Sequence, residues 1–132
     1  MTGEPVRAVV SQKAVVLDPA GRVLLLRKPG VGWELPGGRL ARGERPDAGL
    51  RREVREETGL AARVGRPLTT DAWVNDAGDG RFAVVYRCRV DGTDVVTSAE
   101  HDESRWVRPA DVDDGSLARD RYVVAVRAVA AD

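Results

Sequence analysis

The sequence predicts a mixed α/β fold built around one sheet. Candidate strands come first, a helix follows, more strands come next, and a second helix is last. This order lacks the regular strand–helix alternation of a purely parallel sheet, so a mixed sheet is expected. The chain has 132 residues, a length that suits one domain with one ordinary core. We therefore expect residues 1–132 to form a single domain.

The first half of the chain contains the clearest element boundaries. The stretch AVVLDPAGRVLLLRKP predicts two strands around a turn at residues 18–21. The next segment, GWELPGG, predicts a short extended piece that breaks at Pro36. Pro46–Thr58 is expected to be helical, because Pro46 suits a first helical turn and Gly59 suits a C-terminal stop. Arg45 falls at the N-cap, where its side chain is a poor capping group.

The second half predicts two longer strands, a short strand and a helix. AARVGRPLTTDAWV is typical of a strand with a break near residues 65–67, and NDAGDG is typical of a loop. RFAVVYRCRV alternates, and one face is expected to carry Phe82, Val84, Tyr86, Cys88 and Val90. TSAEHDESRWVRP predicts a loop that enters a short strand, and RDRYVVAVRAVAA predicts a C-terminal helix.

The bulk properties point to a cytoplasmic protein. Lys+Arg and Asp+Glu balance at 21 each, so no net charge directs the chain to nucleic acid or to an anionic membrane. No apolar stretch approaches the roughly 18 residues of a membrane helix. Cys88 is the only cysteine, which excludes an intrachain disulfide and favours a small core residue. We expect a monomer or homodimer that binds neither nucleic acid nor membrane.

The central helix is predicted to concentrate negative charge on one face. Glu53, Glu56 and Glu57 are spaced i, i+3, i+4 and fall within a sector of about 100°. Like charges at this spacing destabilise a helix by roughly 0.2–0.5 kcal/mol per pair. A cation such as Mg²⁺ removes this conflict, because it binds carboxylate oxygens and keeps positions for phosphate oxygens. The alternative is a solvated helix whose arginines neutralise the acids. The adjoining sector is expected to pack on the sheet through Leu50, Val54 and Thr58.

The residues around this helix resemble the signature of the Nudix hydrolase family, G-x5-E-x7-R-E-U-x-E-E-x-G-U, where U is a bulky aliphatic residue. The matching positions are Gly38, Glu44, Arg52, Glu53, Val54, Glu56, Glu57, Gly59 and Leu60. The preceding WELPG also looks like the family's usual approach to this box. Because every fixed position matches, the solvated helix becomes the weaker hypothesis.

The resemblance implies a Nudix-type α/β/α sandwich with a mixed central sheet. It implies hydrolysis of a nucleoside diphosphate linked to another moiety, with Mg²⁺ as the expected cofactor and Mn²⁺ as the alternative. The residues that resemble the family's metal ligands are Glu53, Glu56, Glu57 and a backbone carbonyl at Gly37 or Gly38. Such an ion would neutralise the diphosphate and polarise phosphorus.

The resemblance also implies roles for residues near the ligands. Arg52 resembles the residue that orients the box glutamates, and Glu44 resembles an acid behind the ligands or a ligand of an additional ion. The base that activates water is left open between Glu53 and a loop acid, with Glu100 preferred to Glu103. His101, the only histidine, is expected to be an uncommitted loop residue.

The expected substrate class follows from the exclusion of other classes. Trp33, Trp73 and Tyr86 are candidates for stacking on a base, although each is also a candidate for the core or its rim. In the family, a proline about 15 residues beyond the box suggests ADP-ribose, and a tyrosine slightly further on suggests dinucleoside polyphosphates. Residues 75–78 contain neither. A nucleoside triphosphate or a nucleotide sugar is therefore the expected substrate.

Two other functional classes are compatible with this fold. A nucleotide-sensing module would bind its ligand without turnover, but such a module could dispense with the glutamates that this chain retains. A Nudix-fold isomerase would be expected to use a cysteine, for which Cys88 is a weak candidate. Hydrolysis is the leading hypothesis.

Overall fold

The computed structural model describes residues 3–130 and has the α/β fold that the sequence predicts. Within that range, neither helix combines the length and apolarity needed to cross a membrane. The strands are β1 (Ala8–Leu17), β2 (Val23–Lys28), β3 (Gly32–Glu34), β4 (Gly37–Arg39), β5 (Arg63–Val74), β6 (Gly80–Arg89) and β7 (Glu103–Val107). The helices are α1 (Pro46–Thr58) and α2 (Val123–Ala130), with short 3-10 turns at Pro109–Asp111 and Asp120–Tyr122.

The sheet is mixed, as predicted, and β1 lies at its centre. β1 runs parallel to β6 and antiparallel to β2 and β4. β2 also pairs antiparallel with β3 and β7, and β5 pairs antiparallel with β6. The main path through the sheet is therefore β3-β2-β1-β6-β5. The pairing of β5 shifts register on either side of Pro67, where the sequence predicted a break.

Apolar residues on both faces of the sheet make it the middle layer of a sandwich. One cluster, the α1-side core, includes Ala14 and Val16 of β1 together with Leu50 and Val54 of α1. The other cluster, the α2-side core, includes the alternate residues of β1 and the buried residues of α2, Val15, Leu17, Val123, Ala125, Val126 and Val129. Successive side chains of a strand point to opposite faces, so β1 contributes to both cores. The predicted α/β/α sandwich is confirmed.

Helix α1 has the predicted bounds and the predicted packing face. Its buried residues include Leu50, Val54 and Thr58, none of which exposes any side-chain surface. Gly59 follows the helix with a left-handed φ of 75°, and its N–H donates to the carbonyl of Arg55 at 2.9 Å. This packing fixes the rotation of α1 about its axis, and so fixes where its glutamates point.

Strand β6 also alternates as predicted in its second half. Cys88 and, just after the strand, Val90 belong to the α1-side core, and Tyr86 packs against that core from a partly exposed position. Ala83 and Val85 face the α2-side core. Cys88 is fully buried, and this burial raises the pKa of its thiol to about 12. The prediction of Cys88 as a core residue is confirmed.

The packing of α2 gives a matched test within one helix. Val126 is 0% exposed and Val124 is 58% exposed. Val126→Ala should lower the free energy of unfolding by about 1.5–3 kcal/mol, because it removes buried apolar surface. Val124→Ala should change it by less than about 0.5 kcal/mol. Urea unfolding followed by tryptophan fluorescence measures both, and equal losses would contradict the packing of α2 described above.

Candidate functional site

The site forms where β4 meets β1 beneath the second half of α1. Gly37 and Gly38 pair with Lys13 and Gln12 of β1. A Cβ atom on Gly37, whose φ is 146°, would overlap the carbonyl oxygen of Gln12. Only glycine permits this close backbone approach. The Gln12 side chain also donates from Nε2 to the carbonyl of Pro46 at 3.0 Å, so β1 positions both the glycine segment and the first turn of α1.

Glu57 is the buried carboxylate of the site. Its Oε1 accepts the backbone N–H of Gly37 at 2.7 Å, and the residue is only 7% exposed. Burial raises the pKa of the Glu57 carboxyl to about 7, and the hydrogen bond from Gly37 and the charge of Lys13 oppose that rise. A buried charged group without a full set of partners is unfavourable, so this position suits a bound cation.

Glu53 lies directly over Gly38. The position that a Cβ atom of Gly38 would take is 2.6–2.8 Å from the carboxylate atoms of Glu53. The missing side chain therefore leaves room for this carboxylate beside the glycine backbone. Since Glu57 is bonded to Gly37, two of the three helix glutamates converge on the same glycine pair.

Arg52 joins the remaining acids of the box. Its Nε and Nη2 donate to the two carboxylate oxygens of Glu44 at 2.8 and 3.1 Å. Its Nη1 donates to Glu53 at 3.2 Å and to Glu56 at 3.3 Å. The hydrogen bond from Arg52 lowers the pKa of the Glu44 carboxyl. A single guanidinium thus holds three carboxylates in place, and Glu44 accepts a further N–H from Ala41 at 3.2 Å.

The loop before β7 is fastened to β2 by an ion pair. Arg27 donates from Nε and Nη2 to the carboxylate of Asp102 at 3.0 and 2.6 Å. The backbone N–H of Asp102 also donates to the carbonyl of Arg27 at 3.1 Å. These bonds place the two preceding residues, Glu100 and His101, next to α1. Ligand atoms of Glu57, Glu100 and His101 all lie within 4.8 Å of one another.

Glu103, the other candidate loop acid, occupies a different position. It is the first residue of β7. Its carboxylate lies 3.6 Å from Arg27 and 3.8 Å from Arg105. Among residues 3–130, the group of donors that converges within 4.8 Å contains Glu100 and not Glu103.

The prediction of His101 as an uncommitted loop residue is wrong. The residue is 4% exposed, and its Nε2 lies 2.8 Å from Oε1 of Glu34. Its Nδ1 lies 3.6 Å from Oε2 of Glu57. Glu34, the partner of His101, was not predicted from the sequence. The sequence did contain one indication of a functional role for Glu34, because it is a charged residue between Trp33 and Leu35 in a short extended segment.

The three candidate aromatic residues do not share a pocket. Trp33 and Trp73 pack against the α2-side core, whereas Tyr86 packs against the α1-side core. Arg105 lies over the ring of Trp33 at 4.6 Å, and Arg121 lies over that of Trp73 at 3.4 Å.

Two cavities adjoin strand β3. A cleft of about 430 Å³ is lined by residues that include Trp33, Arg22, Arg105 and Arg108. A smaller cavity of about 90 Å³ lies beside Glu34 and is lined by Lys13, Glu34, Leu35, Leu117, Arg119 and Tyr122.

The donor set fits a divalent cation. The carboxylates of Glu53 and Glu57 lie against the backbone of Gly38 and Gly37, which have no side chains of their own. Glu100 is exposed, and one of its carboxylate oxygens lies within 4.8 Å of one of Glu57. Carboxylate and carbonyl oxygens are the ligands that hard cations prefer. The arrangement can therefore hold such an ion beside a solvent-accessible carboxylate.

Comparison with known proteins identifies the domain type. A family model described as "NUDIX domain" matches residues 8–126. A "MutT-like protein" of Streptomyces ambofaciens is 38% identical over 112 residues, which cover 84% of this chain and 70% of that relative. "Nucleoside triphosphatase NudI" of Escherichia coli O81 (strain ED1a) is 32% identical over 90 residues. That alignment covers 61% of this chain and 64% of the relative's length.

A solved structure supports the same conclusion at the level of the whole fold. The MutT protein from Methanosarcina mazei Go1 superimposes with a TM-score of 0.78 and is 27% identical. The match covers 96% of each chain.

The two glycines of the site should respond differently to alanine. Gly37→Ala should lower the free energy of unfolding by at least about 3 kcal/mol, because it combines a strained φ with a clash against backbone. Gly38→Ala should cost less than about 1 kcal/mol, because only the end of the flexible Glu53 side chain must move. Urea unfolding of the two variants provides the comparison. Similar losses in both would contradict the placement of Glu53 over Gly38.

Proposed function

Since the chain belongs to the Nudix family of pyrophosphohydrolases, we propose that it hydrolyses a nucleoside triphosphate or a nucleotide sugar with Mg²⁺ as its cofactor. The observation that carries the proposal is the convergence of Glu53 and Glu57 on Gly37 and Gly38, with Glu100 beside Glu57. Residues 1–132 are proposed to act as one hydrolase domain, which is supported by the family match over residues 8–126.

The proposed ligands of Mg²⁺ are Glu53, Glu56, Glu57 and the backbone carbonyl of Gly38, and Mn²⁺ is the alternative ion. When bound, the ion neutralises the diphosphate and makes phosphorus more electrophilic. Arg52 is proposed to orient Glu53 and Glu56, since it donates to both. Glu44 would in turn hold Arg52 through its two hydrogen bonds.

Glu100 is proposed to accept the proton of the attacking water. It is exposed to solvent, and it lies close to the Glu57 carboxylate. A carboxylate in such a position has access both to water and to a substrate held at the ion. Glu53 is the rival base, but the hydrogen bond from Arg52 already occupies one of its oxygens. A positioned base contributes about 10²–10⁴-fold to the rate.

The proposed substrate class is supported by one relative and one cavity. The E. coli relative is described as a nucleoside triphosphatase. The cleft of about 430 Å³ falls in the range of about 300–1,000 Å³ typical of small-molecule sites. It offers the Trp33 ring, which suits an aromatic base, whereas Arg22 and Arg108 of its lining already pair with Asp18 and Asp111. Trp73 is a second candidate for base stacking. Tyr86 lies on the other face of the sheet from Trp33 and Trp73.

A substrate screen tests the proposed activity directly. Purified protein with Mg²⁺ is incubated with nucleoside triphosphates, nucleotide sugars, ADP-ribose and dinucleoside polyphosphates, and released phosphate is read after a coupled phosphatase. Turnover of a triphosphate or a nucleotide sugar is expected. If every compound stays intact at neutral and alkaline pH, the activity is absent, and calorimetry with the same compounds then tests binding without turnover.

The proposed ligands are tested by removing one charge at a time. Glu56→Gln and Glu57→Gln should each weaken Mg²⁺ binding and reduce turnover at least about 10²-fold, because a hard anionic ligand is lost while its shape is kept. Asp47→Asn is the matched control, since Asp47 lies on the same helix and pairs with Arg51 at 3.2 Å. Calorimetry and steady-state kinetics measure both effects. Normal Mg²⁺ affinity in both glutamine variants would reject the assignment.

The proposed base is tested on the loop. Glu100→Gln should lower kcat by about 10²–10⁴-fold, because a base acts chiefly in the transition state. Glu103→Gln is the control, since its carboxylate pairs with Arg27 and Arg105 instead. A Glu100→Gln enzyme with near-normal kcat would eliminate this role, and a large loss in Glu103→Gln would assign it to the other acid.

A further inference from the structure

We propose that His101 is a metal ligand, and that its Nδ1 and the Glu57 carboxylate bind a cation next to Glu100, at a site that prefers Mn²⁺ and other first-row transition ions to Mg²⁺. The inference rests on the proposed function, because Glu57 also belongs to the proposed Mg²⁺ site. It adds a nitrogen ligand to a site otherwise built from oxygen atoms.

The hydrogen bond to Glu34 determines which ring nitrogen is free. An ionised carboxylate can only accept, so at 2.8 Å from Glu34 the Nε2 atom carries the hydrogen and donates it. A neutral imidazole has one N–H, which leaves the lone pair on Nδ1. This ring is fully buried. Among residues 3–130, no group forms a hydrogen bond with Nδ1.

The surroundings of Nδ1 are suited to a cation. Oε2 of Glu57 lies 3.6 Å away, which is too long for a hydrogen bond. Two ligands bound to one ion at about 2.0–2.2 Å lie roughly 3–3.5 Å apart, so a shift of a few tenths of an ångström would bring both atoms into coordination. The other oxygen of Glu57 accepts from Gly37, and Oε2 is therefore the atom left for an ion.

Glu34 and Glu100 are the other two carboxylates near the His101 ring. In many metal sites a carboxylate accepts a hydrogen bond from the histidine nitrogen that does not bind the metal, and so orients the ring. Glu34 occupies this position beside Nε2 of His101. Glu100 is exposed, and its ligand oxygen, one ring nitrogen of His101 and one oxygen of Glu57 all lie within 4.8 Å of one another. The site would thus have one buried nitrogen ligand and one buried oxygen ligand, with the Glu100 carboxylate on the solvent side to accept a proton from water.

The nitrogen ligand gives the site its metal preference. Mg²⁺ binds oxygen ligands and gives up its waters reluctantly. Imidazole suits first-row transition ions, whose affinities generally rise from Mn²⁺ to Cu²⁺. Loss of His101 should therefore weaken Mn²⁺ more than Mg²⁺.

The opposing explanation is an imidazolium ion held between Glu34 and Glu57 without metal. In that case both ring nitrogens would carry hydrogen, and Nδ1–H would be directed at Glu57. The two explanations differ in the protonation of Nδ1 and in its response to a metal ion. Because His101 is the only histidine of the sequence, tag-free protein labelled with ¹⁵N in the imidazole ring gives one pair of resonances to follow.

The experiment titrates this labelled protein with Zn²⁺, a diamagnetic probe. We expect an unprotonated Nδ1 without metal, a large shift of Nδ1 on addition of Zn²⁺, and an Nε2 that keeps its proton. In parallel, His101→Gln should reduce Mn²⁺ affinity at least about 10-fold and Mg²⁺ affinity much less, with Glu103→Gln as the control. A protonated Nδ1 that does not respond to Zn²⁺ would overturn the inference. This result comes from the unmodified protein, so it does not depend on whether the His101→Gln variant folds.

Failure of this inference is distinguishable from failure of the proposed function. If the protein hydrolyses substrate with Mg²⁺ while Nδ1 does not respond to Zn²⁺, His101 is not a ligand and the hydrolase assignment stands. If Nδ1 shifts on addition of Zn²⁺ while no substrate is hydrolysed, the metal site stands and the proposed activity is wrong.

Discussion

The close approach of the glycine backbone at Gly37 to β1 is the constraint on which the site depends. It lets β4 pair with β1, so the backbone to which Glu57 bonds is part of the sheet and not a free loop. Helix α1 is held to the same strand by its buried face and by Gln12. The two halves of the site, the glycine segment of β4 and helix α1, are thus both held by β1. The carboxylates can therefore be positioned without a disulfide or a long loop. A side chain at Gly37 would separate these halves.

The second organising feature is an uneven distribution of positive charge. Arg52 serves Glu44, Glu53 and Glu56 on the partly exposed side of the site. Glu57, on the buried side, has one backbone N–H at hydrogen-bonding distance among residues 3–130, and the more distant charge of Lys13. The acids that solvent reaches are therefore neutralised by the protein, whereas the buried acid is left with a raised pKa. A cation is most favourable where the protein supplies the least compensation.

Sequence reasoning succeeded where local rules apply and failed where distant segments meet. The bounds of α1 and its buried face followed from Pro46, Gly59 and 3.6-residue periodicity, because helix ends and amphipathicity are local properties. The sandwich followed from the resemblance of the box. His101 was misjudged because its burial depends on Arg27 and Asp102, which are far apart in the sequence and pair in the fold. The division of the aromatic residues between two cores was also not predicted. Alternation of apolar residues along a strand does not indicate which face of the sheet a given residue joins.

The parallel pairing of β1 with β6 has a consequence for how the chain reaches this structure. Every residue of β1 pairs with one 72 positions later, from Ala8 with Gly80 to Leu17 with Arg89. The central strand can therefore complete its ladder only after more than half of the chain is available. Pairings of such long range make folding slow, because chain closure must precede the contacts that reward it. During synthesis, β1 would leave the ribosome well before its partner, and its apolar residues would stay exposed or in transient contacts until β6 emerges.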